Sequence, residues 1–328
     1  MMILHFDELK DQLFLILKKY SFEESEASRL ALIFTESTFD GVFSHGINRF
    51  PRFIGDVRSG VVKPGILPER VNEMKAIEQW DGLGGAGISN ALFCSDRSIE
   101  LASMYGIACV GLRNTNHWMR GGSYGWRVAR QGYLFMGWTN TLPNMPPWGG
   151  SNAALGNNPF VMAIPHKDGP IVLDMAMSQY AYGKLEWHLK NGTDLPEYGG
   201  YNRDSQLTKK PAEILESERI LPTGLWKGSA MSLVLDLAAA ILSGGNTTRE
   251  IGGLPNETSL SQVFIAVDVE THISSEQLQV LVDETLAFNR EQNPNARYPG
   301  QGSHEKRQVH LKQGVEIPDA VWKEIKNL

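Results

Sequence analysis

His45 and Arg49 stand four residues apart in a run that begins at Phe43 and ends at Phe50. Where such a run is helical, side chains four residues apart lie on one face of the helix. Histidine is the side chain that titrates near neutral pH, and arginine can hold a carboxylate through two parallel hydrogen bonds. Reduction of an α-keto acid requires a proton donor beside a carboxylate-binding group. We therefore predict that this pair belongs to an active site.

A second candidate histidine, His117, lies in the run Asn114-Thr115-Asn116-His117-Trp118-Met119-Arg120-Gly121-Gly122. This run follows a predicted strand, and ligands bind beyond the carboxyl ends of strands in open α/β sheets. Taken singly, His117 is equally typical of a loop histidine, His45 of a capping or core histidine, and Arg49 of a surface cation. The functional interpretation depends on His45 and Arg49 occurring together in a glycine-flanked turn.

The composition restricts the class of protein. The chain has 328 residues, enough for a large core and for two lobes or domains. Its net charge is −6 and it contains no block of basic residues, which argues against nucleic acid or an anionic membrane as a partner. The longest apolar stretch, residues 231–242, is interrupted by Ser and Asp and is shorter than the ~20 residues of a membrane span.

Cysteine usage and the first residues predict a cytoplasmic location. The only cysteines, Cys94 and Cys109, each lie in an apolar segment, which argues against a disulfide scaffold and fits a reducing compartment. Residues 1–8 become acidic at once and lack a basic region and a cleavage site, so we do not expect a signal peptide.

Hydrophobic periodicity predicts an α/β protein. Two helices are expected in the first forty residues, the second opened by a capping box from Ser21 to Glu24 and ended near Asp40-Gly41. Pro51 is expected to start another short helix. Further helices are predicted at residues 89–105, 124–131, 229–242 and 275–289, and strands at 76–81, 107–112, 133–139, 161–165, 171–175 and 263–269.

Residues 140–159 and 293–305 are predicted as loops, and residues 191–223 are polar and turn-rich. The first is rich in Pro, Gly and Asn, and long ordered loops are often functional. Its asparagines Asn140, Asn144 and Asn157 could read substrate hydroxyls or simply hold turns.

Residues 82–87 fit the G-x-G-x-x-G pattern between a predicted strand and a predicted helix, as in a dinucleotide-binding fingerprint. The fingerprint also requires an acidic residue at the end of the next strand, but that strand ends at Leu112-Arg113. A glycine-rich loop after Asp81 also makes an ordinary turn. We therefore favour a turn over a phosphate site.

The usual metal-binding patterns are missing from the sequence. The eight histidines form no H-E-x-x-H motif and no pair with zinc spacing, so no metal is expected.

Five motifs, taken in order, resemble the type-2 malate/L-lactate dehydrogenase family, and the resemblance runs the whole length of the chain. Five ordered motifs are a more specific signal than any one of them. They are Ser44-His45-Gly46-Ile47-Asn48-Arg49-Phe50-Pro51, residues 114–122, Met145-Pro146-Pro147-Trp148-Gly149, Asp174-Met175-Ala176-Met177-Ser178 and Trp226-Lys227-Gly228-Ser229.

The resemblance implies an α/β fold whose NAD-binding region is not of the Rossmann type, in a homodimer. We expect an N-terminal helical region packed on a central mixed α/β domain. Residues 1–75 together with 300–328 would form the helical lobe that contributes His45 and Arg49. Residues 76–299 would form the central nucleotide-binding domain, with a subdivision near 190–225.

The resemblance also implies roles for individual residues. The family's acid/base histidine corresponds to His45, its substrate arginine to Arg49 and its second active-site histidine to His117, with His45 ranked before His117 as the proton donor. NADH is the expected cofactor, with NADPH left open. Its expected binding residues are Pro170, Ile171, Val172, Leu173, Asp174, Met175, Ala176, Trp226, Lys227, Gly302, Ser303, His304 and Glu305.

The resulting hypothesis is hydride transfer from NADH to the 2-keto carbon of a small, sugar-derived 2-oxo acid. Within the family, dehydrogenation of malate, L-lactate or ureidoglycolate is the alternative. A different class of function is a nucleotide- or sugar-acid-binding protein that has lost catalysis. The presence of both histidines and of Arg49 favours the enzyme.

Overall fold

The structure is a computed structural model, and it describes residues 2–328. The strands are β1 (Met2–Leu4), β2 (Glu69–Met74), β3 (Ile77–Asp81), β4 (Ile107–Thr115), β5 (Tyr133–Thr139), β6 (Phe160–Ile164), β7 (Ile171–Met175), β8 (Gly200–Tyr201), β9 (Leu207–Thr208), β10 (Leu260–Asp268) and β11 (Val315–Ile317). The helices are α1 (Phe6–Lys19), α2 (Glu24–Phe39), α3 (Phe50–Arg58), α4 (Gly87–Tyr105), α5 (Gly122–Ala129), α6 (Tyr182–Lys190), α7 (Pro211–Ser217), α8 (Trp226–Ser243), α9 (Thr248–Gly252), α10 (Ser275–Gln292), α11 (Gln301–Gln313) and α12 (Asp319–Lys326).

The centre of the molecule is a seven-stranded mixed sheet in the order β2-β3-β4-β10-β5-β6-β7. Only β3 and β4 run parallel, joined through α4, and the other neighbouring strands are antiparallel. A doubly wound dinucleotide-binding sheet is mostly parallel. The sheet therefore differs from the Rossmann arrangement, and the predicted α/β class is confirmed.

Side chains alternate between the two faces of the sheet, as the two-residue period of a strand requires. On β10, Phe264 and Ala266 face the larger core, which also contains the apolar faces of α1 to α5. Val263 faces a second core on the other side, where it meets Leu235 and Ala239 of α8. The sheet is thus covered on both faces, and the larger core is continuous with the N-terminal helices.

All six predicted strands and the main predicted helices are confirmed within a few residues of their expected ends. The predicted pairing of residues 161–165 with 171–175 is the antiparallel pair β6–β7. Helix α3 begins at Phe50 with Pro51 in its first turn, as expected. The sequence did not predict α6, α7 or the short terminal strands, because these elements carry little apolar periodicity.

The capping box at Ser21 is wrong. Helix α2 begins at Glu24 with Glu23 as its N-cap, whereas Ser21 has a left-handed backbone with φ of 68° in the turn that closes α1. The fully buried Phe22 stacks on Phe53, with ring centroids 5.9 Å apart. The burial of the Phe22 ring determines the conformation of this turn. The Ser21–Glu24 polar pattern therefore does not set the start of the helix.

The loop predicted at residues 293–305 is also partly wrong, since α11 begins at Gln301. Its sequence is so polar that no apolar stripe marks it as a helix. The helix is held by charge instead: Arg307 pairs with Asp40 and, at 3.2 Å, with Glu36 of α2. Residues 302–305 therefore lie in the first turn of a helix rather than in a loop.

The C-terminal segment packs on the N-terminal helices. Strand β11 pairs antiparallel with β1, α11 contacts α2, and α12 contacts α3. This arrangement joins the parts of the chain that were assigned to one helical lobe, although β2, inside the first range, belongs to the central sheet. The division into two domains stays a prediction.

Among residues 2–328, α8 is the one helix long and apolar enough, by length and composition, to cross a membrane. One such helix is weak evidence for a span, because core helices have the same composition. Helix α8 packs against β10, β4 and β5 of the central sheet.

Candidate functional site

His45 ends a short 3₁₀ turn, Phe43–His45, and Arg49 is the N-cap of α3. The two residues therefore do not share a helix, and the helical spacing from which the pair was predicted is not how they are positioned. Gly46 lies against α2, where a Cβ atom would come within 2.4 Å of the Thr38 Oγ1 atom. That hydroxyl also accepts the Ile47 N–H at 2.9 Å, so the turn is fixed to the end of α2.

His117 follows β4, in a loop anchored by its neighbour Asn116. The Asn116 amide donates to the carbonyls of Val61, Gly84 and Gly85 at 2.9–3.1 Å. The glycine loop at residues 82–87 thus uses its carbonyls to hold the His117 loop. This supports the interpretation of the glycine loop as a turn.

The first residue of α4 explains why a glycine ends that loop. A Cβ atom on Gly87 would lie 2.3 Å from the Asn116 carbonyl oxygen and 2.4 Å from that of His117. Real Cβ contacts are not this short, so only glycine allows α4 to approach the loop so closely. The N-terminus of α4 therefore packs directly against the His117 loop and fixes the position of His117.

The fold brings the two candidate histidines together. The ring centroids of His45 and His117 are 5.8 Å apart, with 24° between the planes. The backbone N–H of Met119 donates to Nδ1 of His117 at 2.9 Å, which places the proton of the neutral ring on Nε2. Nδ1 of His45 lies 3.1 Å from the Ser44 hydroxyl, which can either donate or accept.

Both rings are uncharged at neutral pH in the free protein. Burial, reinforced by Arg49 and Arg120, lowers the pKa of His45 to about 4. Burial also lowers the pKa of His117 well below its usual value, with Arg49 the next largest cause. Desolvation penalises the charged imidazolium, and neighbouring cations add to that penalty.

Arg49 lines a cavity of about 200 Å³ that also contains His117. One face of α3 contributes Arg49, Arg52 and Asp56 to this cavity, at the spacing of three and four residues that places side chains on one side of a helix. The opposite wall includes Glu257, whose Oε2 lies 3.6 Å from Nη2 of Arg49 and 3.9 Å from Nη2 of Arg52.

Arg49 is not fully satisfied by these contacts. Its Nε is buried and has no hydrogen-bond partner among the described residues, and burial lowers the pKa of Arg49. Buried polar groups without a partner are rare, because a hydrogen bond that is left unmade in the interior costs free energy. The guanidinium therefore retains capacity for a carboxylate ligand.

Arg120 links the histidines to β7. It forms a buried ion pair with Asp40 at the end of α2, and its Nε lies 4.0 Å from the Asp174 carboxylate. Asp174 also accepts the Gly122 N–H at 2.8 Å.

The three segments predicted to bind the cofactor all meet β7. At its beginning, the Val172 N–H donates to the Pro299 carbonyl at 3.0 Å, just before α11. Beyond its end, the Thr223 N–H donates to the Met177 carbonyl at 2.8 Å, which places the start of α8 there. At ~3.3 Å per residue, these two contacts lie about 16 Å apart along the strand.

Several side chains in these segments fit an anionic dinucleotide. Trp226 presents an exposed ring for a flat heterocycle, and Lys227 is an exposed cation beside it. At the other end, Nδ1 of His304 is buried without a partner and its ring stacks on Trp126 at 5.9 Å. The residues present are therefore compatible with a nicotinamide dinucleotide.

A larger cavity, of about 420 Å³, lies at the outer end of β7 and is lined by Pro170 and His304. Beside it, His166, Asp168 and Asp283 could together hold a metal ion. His166 already bonds to Asp283 at 2.9 Å, and the Lys167 ammonium lies 3.3 Å from the same carboxylate. Both oxygens of the Asp283 carboxylate thus already have a partner.

Two of the asparagines in the 140–159 loop hold the fold. Asn140 donates to Asp236 and accepts the Ser261 N–H, and Asn144 donates to Asn157 at 3.0 Å. Of their two predicted roles, the structure favours the holding of turns.

The family model for malate/L-lactate dehydrogenases matches residues 4–326. The chain belongs to this family. It is an oxidoreductase that acts on CH–OH donors, as its relatives are.

Family relatives resemble the chain over nearly its full length. A 2,3-diketo-L-gulonate reductase from Salmonella newport is 42% identical over 98% of this chain and 99% of its own length. The sulfolactate dehydrogenase of Methanocaldococcus jannaschii superposes with a TM-score of 0.88 at 29% identity, covering 99% of this chain and 96% of that one. A Δ1-piperideine-2-carboxylate reductase from Pseudomonas syringae pvar. tomato gives 0.90 at 26% identity, covering 100% and 99%.

Sequence reasoning missed Arg52, Asp56 and Glu257, which share the cavity with Arg49. Arg52 and Asp56 could have been found from their helical spacing to Arg49. Glu257 lies in a connecting segment far from α3 in sequence, and nothing in the pattern around it indicates the contact.

Proposed function

We propose that the protein is an NADH-dependent reductase of a sugar-derived 2-oxo acid, with 2,3-diketo-L-gulonate converted to 3-dehydro-L-gulonate as the preferred reaction. The observation that carries this proposal is that the His45 ring stacks on His117, which lines one cavity together with the under-satisfied Arg49. The 42% identity to 2,3-diketo-L-gulonate reductases supports this choice of substrate.

In this proposal Arg49 holds the carboxylate of the substrate. Its free Nε and the rest of the guanidinium provide donors in the fork geometry that a carboxylate matches. Holding this end fixes the adjacent 2-keto carbon in the cavity, and such fixed orientation lowers the entropic barrier to reaction.

His45 acts as the proton donor. In the free protein its neighbours are cations and its ring is uncharged. A bound carboxylate offsets the charge of Arg49 and favours protonation of His45. The imidazolium then gives its proton to the carbonyl oxygen as that oxygen becomes negative.

His117 acts as a hydrogen-bond donor without changing charge. Because Nδ1 is occupied by the Met119 N–H, protonation there would break that bond. The neutral ring offers Nε2–H, which can stabilise the charge developing on the substrate oxygen. This division supports His45 over His117 as the residue that delivers the proton.

The proposed cofactor site runs along β7, with Trp226 and Lys227 at one end and His304 at the other. When bound there, NADH supplies the hydride that reduces the keto carbon, and NADPH is the alternative donor. Lys227 would face the phosphates, Trp226 would cover a ring, and Asp174 would be held in place by Gly122.

One assay distinguishes this proposal from two alternatives. The first alternative, within the family, is a dehydrogenase of malate, L-lactate or ureidoglycolate. The second is a protein that binds a nucleotide or a sugar acid without turnover. Purified protein is mixed with NADH and a panel of 2-oxo acids, and absorbance at 340 nm is followed. Fastest loss of absorbance with 2,3-diketo-L-gulonate supports the proposal. No loss with any substrate, together with quenching of tryptophan fluorescence by NADH, would indicate a binding protein.

We further propose a cytoplasmic homodimer. Helix α8 leaves an apolar surface exposed although its other side packs on the sheet, and a second copy of the chain would cover it. The exposed apolar residues of α8 beyond its first turn are Met231, Leu233, Val234, Leu237 and Ile241.

A further inference from the structure

The charges that line the site cavity cancel. Arg49 and Arg52 contribute two positive charges, and Asp56 and Glu257 contribute two negative ones. His117 adds none, since its pKa is lowered by burial. Glu186 of α6 places one further negative charge within range of Arg49. The cavity is thus not a general attractor of anions.

Glu257 is a fixed part of this balance. Its side chain is only 12% exposed and faces both arginines at once. Leu142, in the long loop between β5 and β6, lines the same cavity. Burial raises the pKa of Glu257, while both arginines oppose this and favour the carboxylate. The contacts leave one donor group, Nε of Arg49, without a partner.

We propose that Glu257 is a specificity-determining residue that restricts the substrate to 2-oxo acids with a single carboxylate and an uncharged remainder. This inference rests on the proposed function and deepens it. The free capacity of Arg49 binds one carboxylate. A second carboxylate in a cavity of about 200 Å³ would meet Glu257 and Asp56 with Arg52 already neutralised. Like charges brought together in this way exclude the wrong ligand strongly.

The direct test compares a monocarboxylate with a dicarboxylate. The kcat/KM values for 2,3-diketo-L-gulonate and oxaloacetate are measured with NADH for the original protein and for Glu257→Gln. Glutamine keeps the volume of the side chain and removes its negative charge. We expect the ratio of the two kcat/KM values to move at least about tenfold toward oxaloacetate, mainly through KM. An equal loss for both substrates would mean that Glu257 is only structural and would overturn the inference.

Two further variants sharpen the test. Arg52→Gln removes a positive charge from the same cavity and should move the ratio in the opposite direction. Glu250→Gln is the matched control, because Glu250 is exposed in the capping box of α9 and glutamine serves that box equally well. A shift in the control as large as that in Glu257→Gln would overturn the inference, because any lost charge would then suffice.

Failure of the proposed function would look different. If the protein oxidises no NADH with any 2-oxo acid, the binding of L-gulonate and of malate is measured by calorimetry in the same variants. A shift of the two dissociation constants toward malate in Glu257→Gln would support the charge filter in a binding protein. An unchanged ratio would overturn it.

Discussion

The rings of His45 and His117 lie 5.8 Å apart, and the backbone N–H of Met119 occupies a nitrogen of only one of them. The turn that carries His45 follows α2, and the loop that carries His117 follows β4. The positions of the two rings therefore depend on the packing of different elements, and the site forms only when both elements are in place.

Replacing His45 by Asn should lower kcat for 2-oxo acid reduction by about 10²–10⁴-fold, the usual contribution of a general acid. The binding of NADH should be little changed, because the predicted cofactor residues lie along β7. His272→Asn is the control, since His272 is an exposed histidine outside the cavity. A His45→Asn variant that retains near-normal turnover would refute the assigned role.

The rate of reduction should depend on pH in a defined direction. The pKa of His45 in the free protein is about 4, so the ring must gain a proton for reduction at any higher pH. We expect kcat/KM for reduction to fall about tenfold per unit from pH 5 to pH 8, whereas kcat/KM for oxidation of the hydroxy acid should stay level. Initial rates in both directions test this, and a reduction profile that rises with pH would contradict it.

Substituting Arg49 by Lys should raise KM for 2-oxo acids about tenfold or more, because an ammonium cannot bind a carboxylate in the forked mode. Because lysine retains the positive charge, a weaker affinity for the substrate would show that the forked geometry of arginine is needed and that charge alone is not enough. Arg249→Lys is the control, at an exposed position on α9. Unchanged catalytic efficiency in Arg49→Lys would argue against carboxylate binding by this residue.

Adding a methyl group at Gly87 should destabilise the protein by about 1–3 kcal/mol, the usual cost of overpacking, and displace the His117 loop. The matched control is Gly55→Ala in α3, where the added atom would meet nothing within 4 Å. That change should stabilise the helix by up to about 1 kcal/mol. The thermal unfolding and the kcat of both variants are measured, and both should fall only in the Gly87 variant. Equal effects would show that the close approach at Gly87 is unimportant.

Charge placed on α8 should separate the proposed dimer. Val234 and Ile241 are 60% and 73% exposed, and changing both to Glu would bury two carboxylates per subunit in the proposed interface. We expect light scattering to show a dimer for the original protein and a monomer for this variant. Phe288→Glu, an equally exposed apolar position on α10, is the control. A monomeric original protein would refute the assembly.

Much of the fold could be predicted because its strands carry apolar runs between turn residues. The pairing of β6 with β7 and the β3–α4–β4 unit follow from such local patterns. Helix α11 could not be predicted in this way, since ion pairs from Arg307 hold it to α2 rather than an apolar stripe. The first turn of α2 was misplaced because the burial of Phe22 outweighed a favourable polar pattern.

The candidate site shows the same limit. His45, Arg49 and His117 could be singled out by residue type and by resemblance, and the structure places them together. Their spacing was a poor guide to geometry, since His45 and Arg49 flank a break between two helical turns. Glu257 could not be found, because its contact with Arg49 arises from packing between distant segments and leaves no local signal.

The pairing of β11 with β1 and the seating of α11 and α12 on α2 and α3 have a consequence for the order of synthesis. On the ribosome, the central sheet and the His117 loop can form while the last segment is still inside the exit tunnel. The helices that carry His45 and Arg49 then lack their outer cover. A nascent or truncated chain that ends before α11 would therefore hold one half of the site in place and leave the other half without the contacts of α11, β11 and α12.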